Sequence, residues 1–158
     1  MLTATMLLSA CGFHLRGQAN LPFDSMYVAA APTSLFATQL KRAVGAGSQT
    51  KITENPKDAQ VTLQILNEVR EKQILSLSGA GRVSEFRLLY RVSYRVLDSK
   101  NIERVPTSEI VLQREFAFND AAVLSKESEE ALLYRDMQND AVQQLVRRLQ
   151  VVKFEARP

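Results

Sequence analysis

The feature that most constrains the fold is an alternation of apolar and mostly polar side chains between Glu85 and Leu97. A period of two residues is that of a β-strand with one buried face, and β-branched and aromatic residues favour this structure. Arginines recur here every four residues, as they would along a helix, but the apolar period of two favours a strand. Its apolar face consists of Phe86, Leu88, Tyr90, Val92, Tyr94 and Val96.

Three further strands are predicted around this one. Residues Ser25–Ala30 form a short first strand, and Val61–Leu77 form a second strand whose far half carries a bulge. Gly79-Ala80-Gly81 separates the second strand from the alternating strand, and a hairpin turn at Asp98–Asn101 leads to a fourth strand from about Glu109 to Phe118. On the second strand, the residues expected to share one face are Val61, Leu63, Ile65 and Val69.

Two helices are predicted from apolar residues at helical spacing. Thr33 or Ser34 caps the first helix, which ends at Gly45-Ala46-Gly47. Ser125 or Ser128 caps a long second helix near the C-terminus. The apolar stripe of the first helix is Leu35, Phe36, Leu40, Ala43 and Val44, and that of the second is Leu133, Met137, Ala141, Leu145, Leu149 and Val152.

Together these elements give the order β-α-β-β-β-α. Strands with short connections form an antiparallel meander, whereas a strand reached through a helix lies parallel to a neighbour. We therefore predict an α+β two-layer sandwich, in which two helices pack on one face of a four-stranded mixed sheet. Residues 25–152 form this single domain, and residues 153–158 form a loose C-terminal tail.

The N-terminus carries a motif typical of attachment to a membrane by lipid. Leu8-Ser9-Ala10-Cys11 has the pattern of a bacterial lipobox and contains the only cysteine of the chain. In lipobox chemistry the thiol receives a diacylglycerol, the preceding peptide is removed and the new amino group is acylated, commonly with palmitate. Residues 1–10 are apolar but lack the basic start of a signal peptide, so we interpret them as a truncated one, followed by a lipidated segment over residues 11–24. No apolar run approaches the roughly 18 residues of a membrane span, so lipid is the expected anchor.

Composition narrows the classes of function. The net charge of +3 permits anionic partners without selecting among nucleic acid, lipid and protein. The only histidine, His14, and an acylated Cys11 cannot supply the three or four ligands of a zinc site. The chain has no nucleophile–base pair, no complete dinucleotide loop and no RNP1 pattern. We therefore expect no enzymatic activity, no cofactor or metal, and no nucleic-acid partner.

Three features together resemble one family. They are Cys-Gly-Phe-His-Leu-Arg-Gly at residues 11–17, the β-α-β-β-β-α order, and the terminal-helix residues Leu133–Gln138 followed by Asp140–Leu145. In these the chain resembles the lipopolysaccharide-assembly lipoproteins, the lipoprotein half of the outer-membrane lipopolysaccharide translocon.

The resemblance implies a protein anchored by lipid on the periplasmic side of the outer membrane. It would bind lipopolysaccharide, plug a β-barrel partner in a one-to-one complex, assist the assembly of that barrel and help deliver lipopolysaccharide to the outer leaflet. Gly12 agrees with sorting to the outer membrane, because an Asp at that position commonly retains lipoproteins at the inner membrane. An alternative is an envelope lipoprotein that binds another anionic lipid or a protein without a barrel partner.

The candidate ligand-binding residues are the arginines of the alternating strand. Arg87, Arg91 and Arg95 share one face at spacings of about 13 Å, and guanidinium groups bind phosphates as charged, bidentate donors. We predict that this row binds lipopolysaccharide phosphates and that Arg82 and Arg114 extend it. Two other interpretations stay open: a solvated outer face of the sheet, or a face that contacts acidic groups in the barrel lumen.

Three further residues are predicted to contact the barrel. Ala80 and Lys100 lie in the turns at opposite ends of the alternating strand, and Tyr90 lies within it. A domain enclosed in the barrel would contact it at both ends of this strand.

Overall fold

The computed structural model describes residues 19–153, so the predicted signal peptide, Cys11, His14 and residues 154–158 lie outside it. In this range the sheet has five strands in the order β2-β1-β3-β4-β5. β1 runs parallel to β2 and β3, and β3, β4 and β5 form an antiparallel meander, as predicted. The elements are β1 (Ser25–Ala29), α1 (Leu35–Gly47), β2 (Lys51–Thr53), β3 (Val61–Leu77), β4 (Val83–Asp98), β5 (Glu103–Ala117) and α2 (Val123–Gln150).

The prediction of a four-stranded sheet is wrong, because the residues after α1 form an additional strand, β2. It pairs in parallel with β1, with Lys51 opposite Ser25. The hydroxyl of Thr50 donates a 2.8 Å hydrogen bond to the carbonyl of Phe23 and so fixes β2 beside β1. Three residues are too few to show a period of two, so the sequence pattern gives no sign of this strand.

α1 packs on the sheet through the side chains that its spacing predicts. Phe36, Leu40 and Val44 are buried. The hydroxyl of Ser34 caps the helix by accepting a 3.0 Å hydrogen bond from the N–H of Ala37. The prediction that Leu35 joins the buried stripe is wrong, since this residue is 63% exposed in the first turn.

α2 lies on the same face of the sheet and packs against α1. Neither Ser125 nor Ser128 caps it, because α2 begins at Val123 and both hydroxyls donate to backbone carbonyls of the preceding turn. Within residues 19–153, neither helix combines the length and apolarity that a membrane span requires. The predicted stripe is confirmed at its centre, where the fully buried residues are Met137, Ala141, Leu145 and Leu149.

A bulge at Leu66 changes which side chains of β3 face the helices. Before the bulge, Leu63 is buried beneath them, and after it Arg70 lies opposite the buried Tyr90 on that same side. An extra residue in one strand reverses the alternation that follows it. Val69, predicted to share a face with Leu63, therefore lies on the opposite face. The bulge predicted in the far half of β3 is present as a second register shift.

The long strands give the molecule two ends, a base and a tip. The base contains Ala19, whose N–H donates to the carbonyl of Gly47, and the β4–β5 turn that follows Asp98. The tip contains the β3–β4 turn at Ser78–Arg82 and the connection from β5 to α2. β4 has 16 residues and therefore spans about 50 Å at ~3.3 Å per residue, which separates the two ends.

Candidate functional site

The face of β3, β4 and β5 that the helices leave uncovered, the open face, carries a row of arginines. Arg87, Arg91 and Arg95 alternate along β4 with residues that are fully buried beneath the helices, such as Leu88 and Val92. The three guanidinium groups therefore lie on the side of the sheet that the alternation predicts.

The two outer arginines of the row have partners within the sheet. Arg87 donates from Nε and Nη2 to Oε1 of Glu115, at 3.1 and 2.8 Å. Arg95 donates from Nε to Oε1 of Gln64 at 2.7 Å. The protein itself therefore uses part of the hydrogen-bonding capacity of both side chains.

Arg91, at the centre of the row, has a different environment. Its Nε is buried, and no atom of residues 19–153 accepts a hydrogen bond from it. Its cross-strand neighbours are Val69 on β3 and Val111 on β5, whose side chains carry no acceptor. The Nε donor of Arg91 is therefore unsatisfied in the isolated domain, and a buried donor without a partner costs roughly 1–3 kcal/mol.

The open face is not a basic patch, because glutamates outnumber arginines among its paired residues. Glu115 lies opposite Arg87, and Glu109 lies opposite Ser93 and accepts a 2.9 Å hydrogen bond from it. This mixture of charges disfavours the binding of a polyanion across the whole open face. By strand register, the glutamates on this face of β3, β4 and β5 are Glu71, Glu85, Glu103, Glu109 and Glu115.

Arg114 does not extend the row, contrary to the prediction. It lies opposite Leu88 and therefore on the helix-covered side of the sheet. Its Nη2 forms a 2.7 Å ion pair with Oδ2 of Asp140 on α2. A shift of one residue in register moves every side chain to the other face, and the sequence did not determine the register of β5.

Arg82 lies beyond the row, in the turn at the tip. Its side chain is 74% exposed, and its Nη1 is 3.6 Å from Oδ2 of Asp120, at the long end of ion-pair distances. The same end of the molecule exposes four large apolar side chains, which no sequence period indicated. They are Ile74, Leu77, Val123 and Leu124.

Two of the three predicted barrel contacts are accessible. Ala80 is exposed in the tip turn and Lys100 is exposed in the base turn. The carboxylate of Asp98 shapes the base turn by accepting hydrogen bonds from the N–H groups of Lys100 and Ile102, at 2.8 and 2.9 Å. Burial raises the pKa of Asp98, but these bonds and Arg104 outweigh it and hold the pKa below its ordinary value.

Tyr90, the third predicted contact, is 0% exposed and so offers no surface to a partner. It belongs to the apolar set of the alternation, which faces the helices. Its hydroxyl donates a 2.7 Å hydrogen bond to Oε1 of Glu68. Burial raises the pKa of Tyr90 far above its ordinary 10.0; Glu68 raises it further, and the nearby Arg70 opposes the change.

Polar contacts also join α2 to the tip half of β3. Nη2 of Arg70 donates to Oε1 of Gln138 at 2.8 Å, and the hydroxyl of Tyr134 donates to the carbonyl of Glu71 at 2.7 Å. Arg70 also lies over the Tyr134 ring, 5.6 Å from its centroid. These groups reach the helix side of the sheet because the bulge at Leu66 reverses the alternation.

Comparison with known proteins identifies the family. The sequence model of the lipopolysaccharide-assembly family, LptE, matches residues 23–149. The LPS-assembly lipoprotein LptE of Pectobacterium atrosepticum is 26% identical over 150 residues, which cover 92% of this chain and 80% of that protein.

Solved structures of bacterial lipoproteins share the fold. The solution structure of lipoprotein B from Nitrosomonas europaea has 43% identity and a TM-score of 0.77, covering 88% of this chain and 90% of that one. A minor lipoprotein from Acinetobacter baumannii shares the fold, with a TM-score of 0.69 at 22% identity over 87% of this chain and 99% of that one. Because the family model spans most of the chain, this protein belongs to the LptE family of lipopolysaccharide-assembly lipoproteins of the bacterial envelope.

Proposed function

We propose that this lipoprotein binds lipopolysaccharide at its tip while it plugs the lumen of an outer-membrane β-barrel partner in a one-to-one complex. In this role it assists assembly of the barrel and helps deliver lipopolysaccharide to the outer leaflet. The observation that carries the proposal is the separation of base and tip by about 50 Å of β4.

The base is the end that the membrane anchor holds. Ala19 lies there, eight residues after Cys11, and a stretch of that length reaches at most about 28 Å. An acylated Cys11 in the periplasmic leaflet of the outer membrane therefore keeps the base near the membrane surface. The tip is the part of the domain that is free to extend into a barrel lumen.

The tip offers the two kinds of surface that lipopolysaccharide requires. Its phosphates need an exposed cation, and Arg82 provides a guanidinium group that is 74% exposed. Its acyl chains need apolar surface, and four large apolar side chains are exposed at the same end, with Leu124 at 81%.

The open face suits a polar protein wall better than it suits the lipid. Arg87 is already paired with Glu115, and glutamates are interspersed along the whole row. Interfaces with polar surroundings commonly combine arginine with complementary charges. We therefore assign the arginine row to contact with the barrel lumen and assign lipopolysaccharide to the tip.

The lipid site is tested by reversing one charge at each end of the molecule. Arg82→Glu should weaken the binding of purified lipopolysaccharide by roughly tenfold or more, since a charge-assisted contact is replaced by repulsion. Arg147→Glu makes the same charge change in the last turn of α2, near the base, and serves as the control. An equal loss in both variants would mean that net charge, and not a site at the tip, controls binding.

The plug is tested by photo-crosslinkers at Ala80 and Lys100 in cells. A domain enclosed in the lumen should be crosslinked to the barrel from both turns. Capture from Lys100 alone would place the domain at the periplasmic rim. Capture from neither, with lipopolysaccharide binding intact, would favour an envelope lipid-binding protein without a barrel partner.

A further inference from the structure

We propose that an extended segment of the barrel partner adds to the sheet as a further strand beside residues 67–74 of β3, the free edge. This inference rests on the proposed complex with a barrel and names one mode of contact within it. It starts from the unequal lengths of two neighbouring strands. β1 pairs with β3 only from Val61 to Gln64, whereas β3 continues to Leu77. Within residues 19–153, no strand lies beside the rest of β3 on the side of β1.

The register of the sheet determines which backbone groups point out from the free edge. The N–H of Phe118 donates to the carbonyl of Ser84, so every second pair along the tip half of β4 and β5 is hydrogen-bonded. The residues of β4 between these pairs, such as Arg91, direct their N–H and C=O groups to β3. Their partners on β3, such as Val69 opposite Arg91, bond back to β4. The residues whose N–H and C=O groups point outward are therefore Glu68, Arg70, Lys72 and Ile74.

The free edge is long and regular enough to accept a strand. Bulges protect edge strands from pairing, but those of β3 lie at Leu66 and between Ile74 and Ser76, at the two ends of the free edge. Residues 67–74 pair with β4 without interruption, and strands are commonly about 5–6 residues long. The opposite edge of the sheet, β5, contains Pro106, which lacks an N–H and disfavours pairing.

A groove at one end of the free edge can hold a side chain of the incoming strand. The groove has a volume of about 590 Å³ and lies between the start of α1 and the bulge in β3. Leu35 and Leu66 line it and are 63% and 47% exposed, so it presents apolar surface. In strand addition, main-chain hydrogen bonds provide affinity and pockets beside the edge select side chains. The incoming segment therefore places an apolar side chain between Leu35 and Leu66.

The chemistry of the free edge favours a polypeptide over a lipid. Its outward N–H and C=O groups recur at every second residue, and an extended chain presents complementary groups at the same spacing. An acyl chain carries neither donors nor acceptors. It would cover these backbone groups and leave them without partners, which is unfavourable.

The charges along the free edge disfavour a second copy of this chain. In an antiparallel pair of two β3 strands, the outward residues of one copy stand opposite those of the other. The register that uses all four outward residues places Arg70 opposite Lys72 at two symmetric positions. Like charges directly opposite each other destabilise a sheet. A segment of the barrel is free of this restriction, and in the proposed complex the barrel surrounds the free edge.

The first test follows amide hydrogen exchange in the full lipoprotein, free and bound to the purified barrel protein of the translocon in detergent. Exchange is stopped, the complex is dissociated and single amides are measured by NMR. The outward N–H groups of Arg70 and Lys72 should exchange at least roughly tenfold more slowly in the complex, because the added strand bonds to them. The N–H groups of Val69 and Glu71 serve as the internal control. They already bond to β4 and should change less.

The second test places a charge in the groove. Leu35→Glu should weaken the affinity for the barrel protein by roughly tenfold or more, since a carboxylate replaces an apolar contact. The first turn of α1 accommodates Glu, because a helix N-terminus favours negative charge. Leu132→Glu makes the same change at a side chain of α2 that is 45% exposed, and it should lower the affinity less. Circular dichroism and lipopolysaccharide binding should match the parent in both variants.

The outcomes separate this inference from the function on which it rests. If the parent does not bind the barrel, the proposed function fails and the inference fails with it. If the parent binds but the amides of Arg70 and Lys72 gain no protection, or outward amides of β5 such as that of Val111 gain it instead, the inference alone is overturned. Protection that appears with lipopolysaccharide alone, or in a dimer of the free protein, would assign the free edge to the lipid or to a second copy and would also overturn it. Equal affinities of Leu35→Glu and Leu132→Glu would contradict the groove contact.

Discussion

The side chains of Tyr90 and Glu68 join the start of α1 to the middle of the sheet. The Tyr90 hydroxyl donates to Oε1 of Glu68 at 2.7 Å, and the hydroxyl of Ser34 donates to Oε2 at 2.8 Å. One carboxylate thus accepts a hydrogen bond from the residue that caps α1 and from a fully buried residue of β4. Since the partly buried Glu68 depends on these donors, removing one should weaken the domain.

Tyr90→Phe should reduce the loss of stability at high pH. The pKa of Tyr90 is raised by burial and by Glu68 above its ordinary 10.0, so the unfolded chain loses this proton before the folded protein does. The stability linked to this group is therefore complete below about pH 10 and falls above it, by up to about 1.4 kcal/mol per pH unit. Urea unfolding at about pH 8 and pH 11 should show a smaller difference for the variant than for the parent.

Tyr134 provides a second check on the same effect. Burial and Glu130 raise the pKa of Tyr134 as well, so the Tyr90→Phe variant should still lose some stability as the pH rises above about 10. The double variant Tyr90→Phe, Tyr134→Phe should have a flatter profile than either single variant. Equal slopes in the parent and the double variant would contradict the assignment.

Leu145→Asp should unfold the domain. Leu145 is 0% exposed in the contact of α2 with the sheet, and burying an unpaired carboxylate costs several kcal/mol, a large part of total stability. Arg135→Asp introduces the same side chain on the exposed face of the helix and should keep a cooperative thermal transition. A parent-like melting temperature for Leu145→Asp would show that the stripe is not buried.

Arg114→Ala should weaken the packing of α2 on the sheet without changing the affinity for lipopolysaccharide. The ion pair with Asp140 is partly exposed, so its loss should lower the free energy of unfolding by no more than about 1 kcal/mol. Arg114 lies on the helix-covered side, so lipopolysaccharide affinity should stay at the parent value, unlike that of Arg82→Glu. A comparable loss of affinity in both variants would return Arg114 to the binding site.

Intact-mass analysis of membrane-extracted protein should find a chain that begins at Cys11 and carries acyl groups, because this cysteine ends the lipobox. Cys11→Ser should remove the added mass and release the protein from the membrane fraction. A free thiol at Cys11 in native material would contradict lipidation.

Periodicity over many residues predicted the parts of the fold that depend on local pattern. The alternation around Tyr90 and the helical spacing around Leu145 each extend over enough residues to identify both the element and its buried face. The side of the sheet on which Arg114 lies depends on the register of β5. That register is decided by pairing with β4, and no local sequence pattern indicates it. The apolar residues at the exposed tip around Arg82 also show no regular spacing in the sequence, because residues that do not pack against the core need not recur at the period of a helix or strand. The unpaired Nε of Arg91 follows from which residues stand beside it on β3 and β5, and only the assembled sheet determines this.

The bulge at Leu66 shows how β3 can change in length. Leu66 stands between Ile65, which lies opposite Tyr94, and Asn67, which lies opposite Ser93, so it has no cross-strand partner of its own. Deleting Leu66 would therefore restore a regular ladder and leave Arg70 on the helix side and Val69 on the open face. The same deletion in a regular stretch of the strand would exchange the two faces beyond it, unless a new bulge formed. A strand with bulges can thus gain or lose a single residue at the bulge while both of its surfaces keep their composition.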